Sequence, residues 1–138
     1  MLQRTLTIIK PDAVQQKVIG KVISHFEEAG FRVAAARLVH LTRKEAEGFY
    51  AVHRGKPFFE SLTAFMSSGP CLPMVLERED AVVRLRALMG ATDPAKAEAG
   101  TIRKSLASNV ERNIVHGSDA PETAAAEIRY FFRDLDLV

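Results

Sequence analysis

The sequence predicts an α+β fold in which helices cover an antiparallel β-sheet. Four short segments are rich in apolar and β-branched residues, and the segments between them carry apolar residues at helical spacing. Proline, glycine and capping residues stand at many of the junctions. In chain order this gives a βαββαβ alternation with extra helices, which is the order of a ferredoxin-like sandwich.

The first strand and helix are bounded by a proline and a glycine. Residues 4–10 predict a strand, which Pro11 ends because proline cannot donate to a β-ladder. Gly30 ends the helix that follows, and residues 31–41 predict the second strand. The apolar residues at helical spacing in that helix are Ile19, Val22, Ile23 and Phe26.

Two helices, a third strand and another helix come next. Thr42, with Glu45 three residues later, predicts a capping box at the start of a short helix. Residues 71–77 alternate as a strand does, and Pro73 within them indicates a sheet edge or a β-bulge. Asp80 is predicted to cap the helix after that strand. The helix before the strand has an apolar face of Phe58, Leu62, Phe65 and Met66.

The last third of the chain contains a long loop, a helical turn, a strand and a helix. Residues 90–100 form a loop that is too long for a simple connector. Residues 101–107 predict a helical turn, and Ile114 and Val115 indicate the end of a short buried strand. Residues 121–132 predict the last helix.

The residues around His116 predict a chemical site. Gly117 permits a sharp bend with positive φ, and Ser118 or Asp119 is predicted to cap the last helix. Glu122, three residues after Asp119, completes a capping-box spacing. His116 would then be held rigidly between a strand and a helix, a position that suits a nucleophile or a general base.

Glu127 is the predicted partner of this histidine. Its spacing relative to Ala124 and Phe131 places its carboxylate beside the apolar stripe of the last helix, where a buried charge needs a partner. A histidine whose second nitrogen must be oriented can be that partner. The alternative is a packed core histidine with Glu127 as its neutralising neighbour.

Composition limits the classes of function. The chain has 138 residues, 47% hydrophobic and 26% charged, which predicts one domain over residues 1–138. The net charge of +2 and the scattered basic residues do not require a nucleic-acid or membrane partner. A single cysteine, Cys71, excludes an intrachain disulfide and fits a reducing, cytosolic setting. No apolar run reaches membrane-spanning length, and the first residues lack the apolar region of a secretory signal.

The heptapeptide from Asn113 to Asp119 resembles the active-site signature of the nucleoside diphosphate kinases. Five further segments resemble blocks of that family and run in the family's order: residues 7–12, 54–59, 68–70, 89–94 and 100–103. The resemblance covers nearly the whole chain and implies the same ferredoxin-like fold. It also implies transfer of the γ-phosphate of a nucleoside triphosphate, mainly ATP, to a nucleoside diphosphate in a ping-pong exchange with broad base specificity.

The resemblance assigns catalytic roles to five residues. It makes His116 the nucleophile, phosphorylated on its pros nitrogen, while Glu127 and Ser118 control the proton on the other nitrogen. Tyr50 matches a position near that histidine, and Lys10 matches a position that contacts phosphate and the ribose 3′-hydroxyl. Because the chain lacks a P-loop pattern, phosphate must be held by side chains.

The remaining implied contacts are with the nucleotide. Phe58 and Val110 match positions that sandwich the base, and Leu62 matches one beside it. Stacking tolerates any base because every base has a π-face. Asn113 matches a position that binds the ribose 3′-hydroxyl. The positions that contact phosphate are Lys10, Arg86, Thr92 and Arg103.

The resemblance also implies a cofactor and an assembly. Mg²⁺ is expected on the nucleotide phosphates, because no dedicated carboxylate cluster is evident in the sequence. A cytoplasmic homo-oligomer is expected, with a tetramer favoured over a hexamer or a dimer. Ser105 stands where relatives commonly carry aspartate, which bears on how Arg103 is oriented. Three other histidines show no metal-ligand spacing and are interpreted as structural or exposed: His25, His40 and His53.

Two other classes of function compete with an enzyme. A nucleic-acid-binding sandwich needs aromatic residues on its central strands, whereas residues 6–9 and 73–76 are aliphatic. A relative that keeps the fold without turnover would not need His116, Lys10 and Arg103 together, and all three are present.

Overall fold

The computed structural model describes residues 2–138, which form one four-stranded antiparallel sheet with helices packed on it. The strands are β1 (Leu2–Ile9), β2 (Arg32–Ala36), β3 (Leu72–Glu79) and β4 (Val115–Gly117), in the spatial order β2-β3-β1-β4. The helices are α1 (Pro11–Gln15), α2 (Ile19–Glu28), α3 (Arg43–Phe49), α4 (Phe59–Met66), α5 (Ala81–Met89), α6 (Ile102–Leu106) and α7 (Pro121–Phe131). Short 3₁₀ turns lie at Ala51–His53, Pro94–Lys96 and Asp134–Asp136. This is the predicted α+β sandwich.

Both faces of the sheet carry an apolar core. Successive residues of a strand point to opposite faces, so Leu6 of β1 packs with Phe65 of α4 while Ile9 packs with Phe26 of α2 and Leu85 of α5. In the part of the chain that the structure describes, neither face is left open for aromatic residues to stack bases, as an RNA-binding sheet requires.

The prediction that Pro73 marks a sheet edge is wrong. Strand β3 is central, because β1 pairs with it on one side and β2 on the other. Pro73 pairs with Ile8 of β1 and lies just beyond the last pair with β2, Ala36 with Met74. Its carbonyl still accepts the N–H of Arg37 at 3.1 Å, a bond that needs no donor from the proline. The register shift in the sheet lies in β2, between Val33 and Ala35.

Several element boundaries also differ from the sequence prediction. Pro11 does not only end β1; it is the first residue of α1, where its fixed φ and missing N–H are harmless. The second strand ends at Ala36 instead of residue 41, and only an isolated bridge joins Val39 to Cys71. Cys71 is buried, as a core residue would be.

The predicted cap of α3 is confirmed, whereas the predicted cap of α5 is wrong. Thr42 and Glu45 form the predicted capping box on α3, with reciprocal bonds of 3.1 and 2.8 Å. Asp80 precedes α5 with φ +51° and makes no side-chain cap. The side-chain oxygen of Gln3 accepts the free N–H of Val82 instead, at 2.8 Å.

Candidate active site

Strand β4 carries His116 at its centre. The residue lies opposite Ile8 of β1, and its carbonyl accepts a 2.7 Å hydrogen bond from the Thr7 hydroxyl. The expectation of a positive φ and a bend at Gly117 is wrong, because Gly117 belongs to β4 and the positive φ falls on Ile114, at +74°. The chain bends two residues later, at Asp119 and Ala120. The rigidity that the sequence predicts for His116 therefore comes from strand pairing.

Gly117 is required by packing and not by backbone conformation. A Cβ added there would lie 2.8 Å from the sulfur of Met89 and 3.3 Å from a methyl group of Leu85, both on α5. The absence of a side chain thus lets α5 approach β4 closely.

The imidazole of His116 forms a hydrogen-bonded unit with Glu127 and Ser118. Glu127 Oε1 lies 2.9 Å from His116 Nε2 and accepts a 2.7 Å bond from the hydroxyl of the fully buried Ser118. Burial raises the pKa of Glu127, but the hydrogen bond and charge of His116 and the bond from Ser118 outweigh this and hold it below its ordinary value. An ionised carboxylate accepts the Nε2 proton, which leaves the lone pair on Nδ1.

The imidazole is not enclosed in the core, since its side chain is 19% exposed and lines a cavity of about 680 Å³. This argues against the alternative of a packed core histidine. The cavity brings together every predicted site residue except Ser118, which lies behind Glu127. The predicted residues that line it are Lys10, Tyr50, Phe58, Leu62, Arg86, Thr92, Arg103, Val110, Asn113, His116 and Glu127.

Lys10 and Asn113 form a polar bridge in the cavity wall. Lys10 is only 6% exposed, and its Nζ donates a 2.8 Å bond to Asn113 Oδ1. Burial, together with the charge of Arg103, lowers the pKa of Lys10 to about 8. The Asn113 amide donates to the carbonyls of Thr92 and Val110, at 3.2 and 2.8 Å. Asn113 therefore connects the loop that carries Thr92 with the loop that carries Val110.

Arg103 is oriented by backbone carbonyls. Its guanidinium donates to the carbonyls of Gly90, Asn113 and Val115 at 3.0, 3.3 and 2.8 Å. Burial, with the charge of Arg86 as a smaller cause, lowers the pKa of Arg103 to about 10. Ser105 takes part in none of these three bonds.

Arg86 and Asp119 form an ion pair at the cavity mouth, with Nη1 2.7 Å from Oδ1. Asp119 therefore does not cap α7, and the predicted capping box with Glu122 is wrong. The N-cap position is Ala120, whose N–H donates to the Thr123 hydroxyl at 3.0 Å. Both members of the pair are well exposed, so the pair adds little stability and leaves the arginine available for an anion.

The far end of the cavity is apolar and open. Phe58 is 46% exposed and Val110 is 56% exposed, and both line the cavity, so a molecule that enters it can contact both side chains. Phe58 precedes α4 and does not belong to its apolar face, contrary to the sequence prediction. Ser61 on α4 donates a 2.7 Å bond to Glu111 in the opposite loop, which joins the two sides of this end.

Sequence reasoning did not identify several residues that line the cavity. The Phe49 ring lies edge-on to His116 with centroids 5.4 Å apart. His53, interpreted from sequence as structural or exposed, lines the cavity beside Tyr50 and Phe58, and its three-residue spacing from Tyr50 was an available signal. Burial raises the pKa of Tyr50, which keeps the phenol neutral. Others that line the cavity are Val52, Glu111, Thr123, Ala126 and Tyr130.

The described part of the chain offers few clustered side chains that could bind a metal ion. Residues 2–138 contain no group of three or more His, Cys, Asp or Glu side chains that could hold one. Among the carboxylates of the cavity, Glu127 is engaged by His116, whereas Asp119 at the mouth is exposed. These residues fit a cation that arrives on phosphate oxygens and keeps most of its water.

Among residues 2–138, no helix combines the length and the apolar character needed to cross a membrane.

The chain is similar to known proteins over nearly its full length. The family model described as nucleoside diphosphate kinase matches residues 3–137. A nucleoside diphosphate kinase of Thiobacillus denitrificans is 61% identical over 131 residues, covering 95% of this chain and 92% of that protein. One from Desulfosudis oleivorans is 56% identical over 137 residues, covering 99% of each.

Solved structures give the same result. The nucleoside diphosphate kinase of Aquifex aeolicus has a TM-score of 0.97 at 40% identity and covers 100% of both chains. The halophilic enzyme of Halobacterium salinarum, solved in complex with CDP, has a TM-score of 0.96 at 38% identity and covers 100% of this chain and 92% of its own. The match of family model, sequence and fold over the whole cavity-forming region shows that this chain belongs to the nucleoside diphosphate kinase family of enzymes.

Proposed function

We propose that the chain moves the γ-phosphate of a nucleoside triphosphate to a nucleoside diphosphate through a phosphohistidine on Nδ1 of His116. The observation that carries this proposal is the 2.9 Å contact between His116 Nε2 and Glu127, inside a cavity that also contains Lys10 and Arg103. It supplies a nucleophile with a free nitrogen next to groups that can neutralise phosphate charge.

In the first half-reaction Nδ1 of His116 attacks the γ-phosphorus, and the bond to the β–γ bridging oxygen breaks. The electron pair leaves with the nucleoside diphosphate, and the imidazole retains its Nε2 proton. Glu127 holds that proton and stabilises the positive charge that develops on the ring. In the second half-reaction a terminal phosphate oxygen of another nucleoside diphosphate attacks the phosphorus. The bond between phosphorus and Nδ1 breaks, and the neutral imidazole is restored.

Positioning and charge account for the rest of the catalysis, as expected for phosphoryl transfer. Lys10, Arg86 and Arg103 approach the cavity from three different elements and can contact several phosphate oxygens at once. The Thr92 hydroxyl adds an uncharged donor. Arg103 needs no reorganisation to do this, because three carbonyls already hold its guanidinium.

Mg²⁺ would arrive bound to the nucleotide, where it neutralises phosphate charge. Asp119 is the exposed carboxylate at the mouth that could reach a water of its hydration shell. No protein ligand set is needed for this arrangement.

Broad base specificity follows from the apolar end of the cavity. Phe58 and Val110 offer two flat or apolar surfaces between which any base can lie, with Leu62 beside them. Asn113 and Lys10 would bind the ribose 3′-hydroxyl, which all substrates share. The CDP bound to the Halobacterium salinarum relative supports a nucleoside diphosphate as a ligand of this site.

The exposed apolar residues near the edge strand bear on the assembly. Leu38 and Val138 are more than half exposed, and Val138 is bonded to Ala34 of the edge strand β2, which supports a homo-oligomer. A tetramer is favoured, with a hexamer or a dimer as alternatives that light scattering distinguishes. A cytoplasmic location and one domain over residues 1–138 stay predictions.

The mechanism is tested with γ-labelled ATP and initial-rate kinetics. The wild-type chain should take up acid-labile, base-stable label and give parallel double-reciprocal lines, and His116→Ala should take up none. Intersecting lines, or equal labelling of His116→Ala, would contradict a covalent exchange.

A further inference from the structure

Asp12 is a buried carboxylate to which the proposed mechanism gives no role. The residue is only 3% exposed, and its Oδ2 accepts a 3.0 Å bond from the backbone N–H of Ile114. Its other oxygen has no hydrogen-bond partner among the described residues. Burying a carboxylate is costly, so a structural gain elsewhere must offset it.

The residue that Asp12 holds has an unfavourable backbone conformation. Ile114 is β-branched and fully buried, yet its φ is +74°. The N–H of Val115 bonds to the carbonyl of Asn113 at 2.8 Å, so the three residues form a γ-turn of the rare positive-φ type. Such a residue is strained and persists only where its surroundings fix it.

This turn sets the positions of the groups proposed to bind and attack phosphate. The Ile114 carbonyl accepts the backbone N–H of Lys10 at 2.8 Å. The carbonyls of the first and last residues of the turn, Asn113 and Val115, both accept hydrogen bonds from the Arg103 guanidinium. His116 follows the turn directly, and the side-chain oxygen of Asn113 accepts a hydrogen bond from Lys10 Nζ.

We propose that Asp12 is a positioning residue whose carboxylate holds the Asn113–Val115 γ-turn and thereby places Lys10, Asn113, Arg103 and His116 for nucleotide binding. The inference rests on the proposed nucleotide site but not on a covalent intermediate. Asp12 itself does not line the cavity and touches no substrate.

The charge of Asp12 has a second effect, on Lys10. Three charged groups face the Lys10 ammonium: Arg103 lowers its pKa, whereas Asp12 and Glu111 raise it. Burial raises the pKa of Asp12, although the N–H of Ile114 and the charge of Lys10 oppose this. Removing the carboxylate charge should therefore let Lys10 lose its proton at a lower pH.

Two substitutions separate the geometric effect from the charge effect. Asp12→Ala removes the acceptor, leaves the Ile114 N–H buried without a partner, and should weaken ADP binding by about 10- to 100-fold. Asp12→Asn keeps an acceptor oxygen and should recover most of the affinity near neutral pH. As the pH rises, however, its affinity for ADP should begin to fall at a lower pH than that of the wild type.

The matched control is Val22→Ala, which removes buried volume from α2 in the apolar cluster that also contains Ile114 and Val115, and which leaves the Asp12 carboxylate in place. The dissociation constant of ADP is measured for all four proteins from about pH 7 to 10, at temperatures where thermal melts show each to be folded. The proposal is overturned if Asp12→Ala binds ADP as Val22→Ala does, or if Asp12→Asn binds ADP near pH 7 as weakly as Asp12→Ala does.

Labelling of His116 is measured in parallel, to separate this inference from the proposed mechanism. If the wild type binds ADP but takes up no label, the covalent mechanism fails and the Asp12 comparison still stands. If the wild type is labelled and Asp12→Ala binds ADP like the control, the Asp12 inference alone fails.

Discussion

At the scale of single residues, the reactivity of His116 depends on which ring nitrogen carries the proton. Glu127 is the group that decides this, because its carboxylate has a pKa below the ordinary value and accepts from Nε2 at 2.9 Å. The Ser118 hydroxyl donates a hydrogen bond to the same carboxylate oxygen. The pair resembles other cases in which a carboxylate orients an imidazole and raises its basicity.

Replacing Glu127 by glutamine should slow phosphate transfer by about 10- to 100-fold, because the amide can accept or donate at Nε2 and no longer fixes the tautomer. The measurement is the single-turnover rate of label uptake from ATP. Glu122→Gln, an exposed site on the same helix, is the control and should react at the wild-type rate. Equal rates for both variants would contradict the role of Glu127.

Lys10 predicts a pH dependence of nucleotide binding. Because its pKa is about 8 in the free protein, against an ordinary 10.5, the ammonium is lost as pH rises through that value. If only charged Lys10 binds phosphate, affinity for ADP should fall about tenfold between pH 7 and 9, and binding at pH 9 should take up a proton. Calorimetry in two buffers of different ionisation enthalpy measures that proton. No uptake at pH 9 would contradict the prediction.

The same shift has the opposite sign for the stability of the free protein. Between about pH 8 and 10.5 the folded chain binds fewer protons at Lys10 than the unfolded chain does. The contribution of Lys10 to the free energy of unfolding therefore increases with pH across that window. Denaturant melts of the wild type and Lys10→Met at the two ends should reveal a pH-dependent difference.

At the scale of elements, the close contact between α5 and β4 fixes the strand that carries His116. Gly117→Ala places a methyl group 2.8 Å from the Met89 sulfur, and the shift needed should lower the free energy of unfolding by about 1–3 kcal/mol. It should also lower kcat by displacing the imidazole. Gly20→Ala in α2 is the control, because nothing lies within 4 Å of its new methyl group, and it should be neutral or stabilising.

The two sides of the base-binding end come from different elements, α4 and the loop around Val110. Phe58→Ala should raise KM for ADP, GDP, CDP and UDP by similar factors, of about 5- to 100-fold, since stacking does not read hydrogen bonds. Val83→Ala, an exposed apolar residue on α5, is the control. A large loss for one base only would indicate direct readout and contradict broad specificity by stacking.

The sequence predicts elements well where the signal is local. The capping box at Thr42 and the inward carboxylate of Glu127 each depend on residue spacing within a single helix, α3 and α7 respectively, and both are present. The positive φ of Ile114 carries no local signal, because a β-branched residue predicts the opposite. Tertiary bonds from Asp12 and the packing of α5 against Gly117 decide this region, and neither can be predicted from spacing.

At the scale of the whole molecule, the cavity is assembled from segments far apart in the sequence. Lys10 contacts Asn113 across 103 positions, and Ile114 contacts Asp12 across 102. Local spacing predicted the sandwich and the pairing of Glu127 with His116, whereas the resemblance to a family predicted which further residues would meet in the cavity. Residues missed by both are brought to the cavity by contacts that only the fold creates. Phe49 lies against His116, and His53 contacts Tyr50 and Phe58.

The central claim is that His116 carries the transferred phosphate on the nitrogen that Glu127 leaves free. The most direct measurement is ³¹P and ¹H NMR of the protein after reaction with ATP, under alkaline conditions that preserve phosphohistidine. The account predicts one phosphorylated imidazole, at Nδ1 of His116, that disappears when a nucleoside diphosphate is added. A phosphate on Nε2 of His116, or on any other side chain, would contradict it.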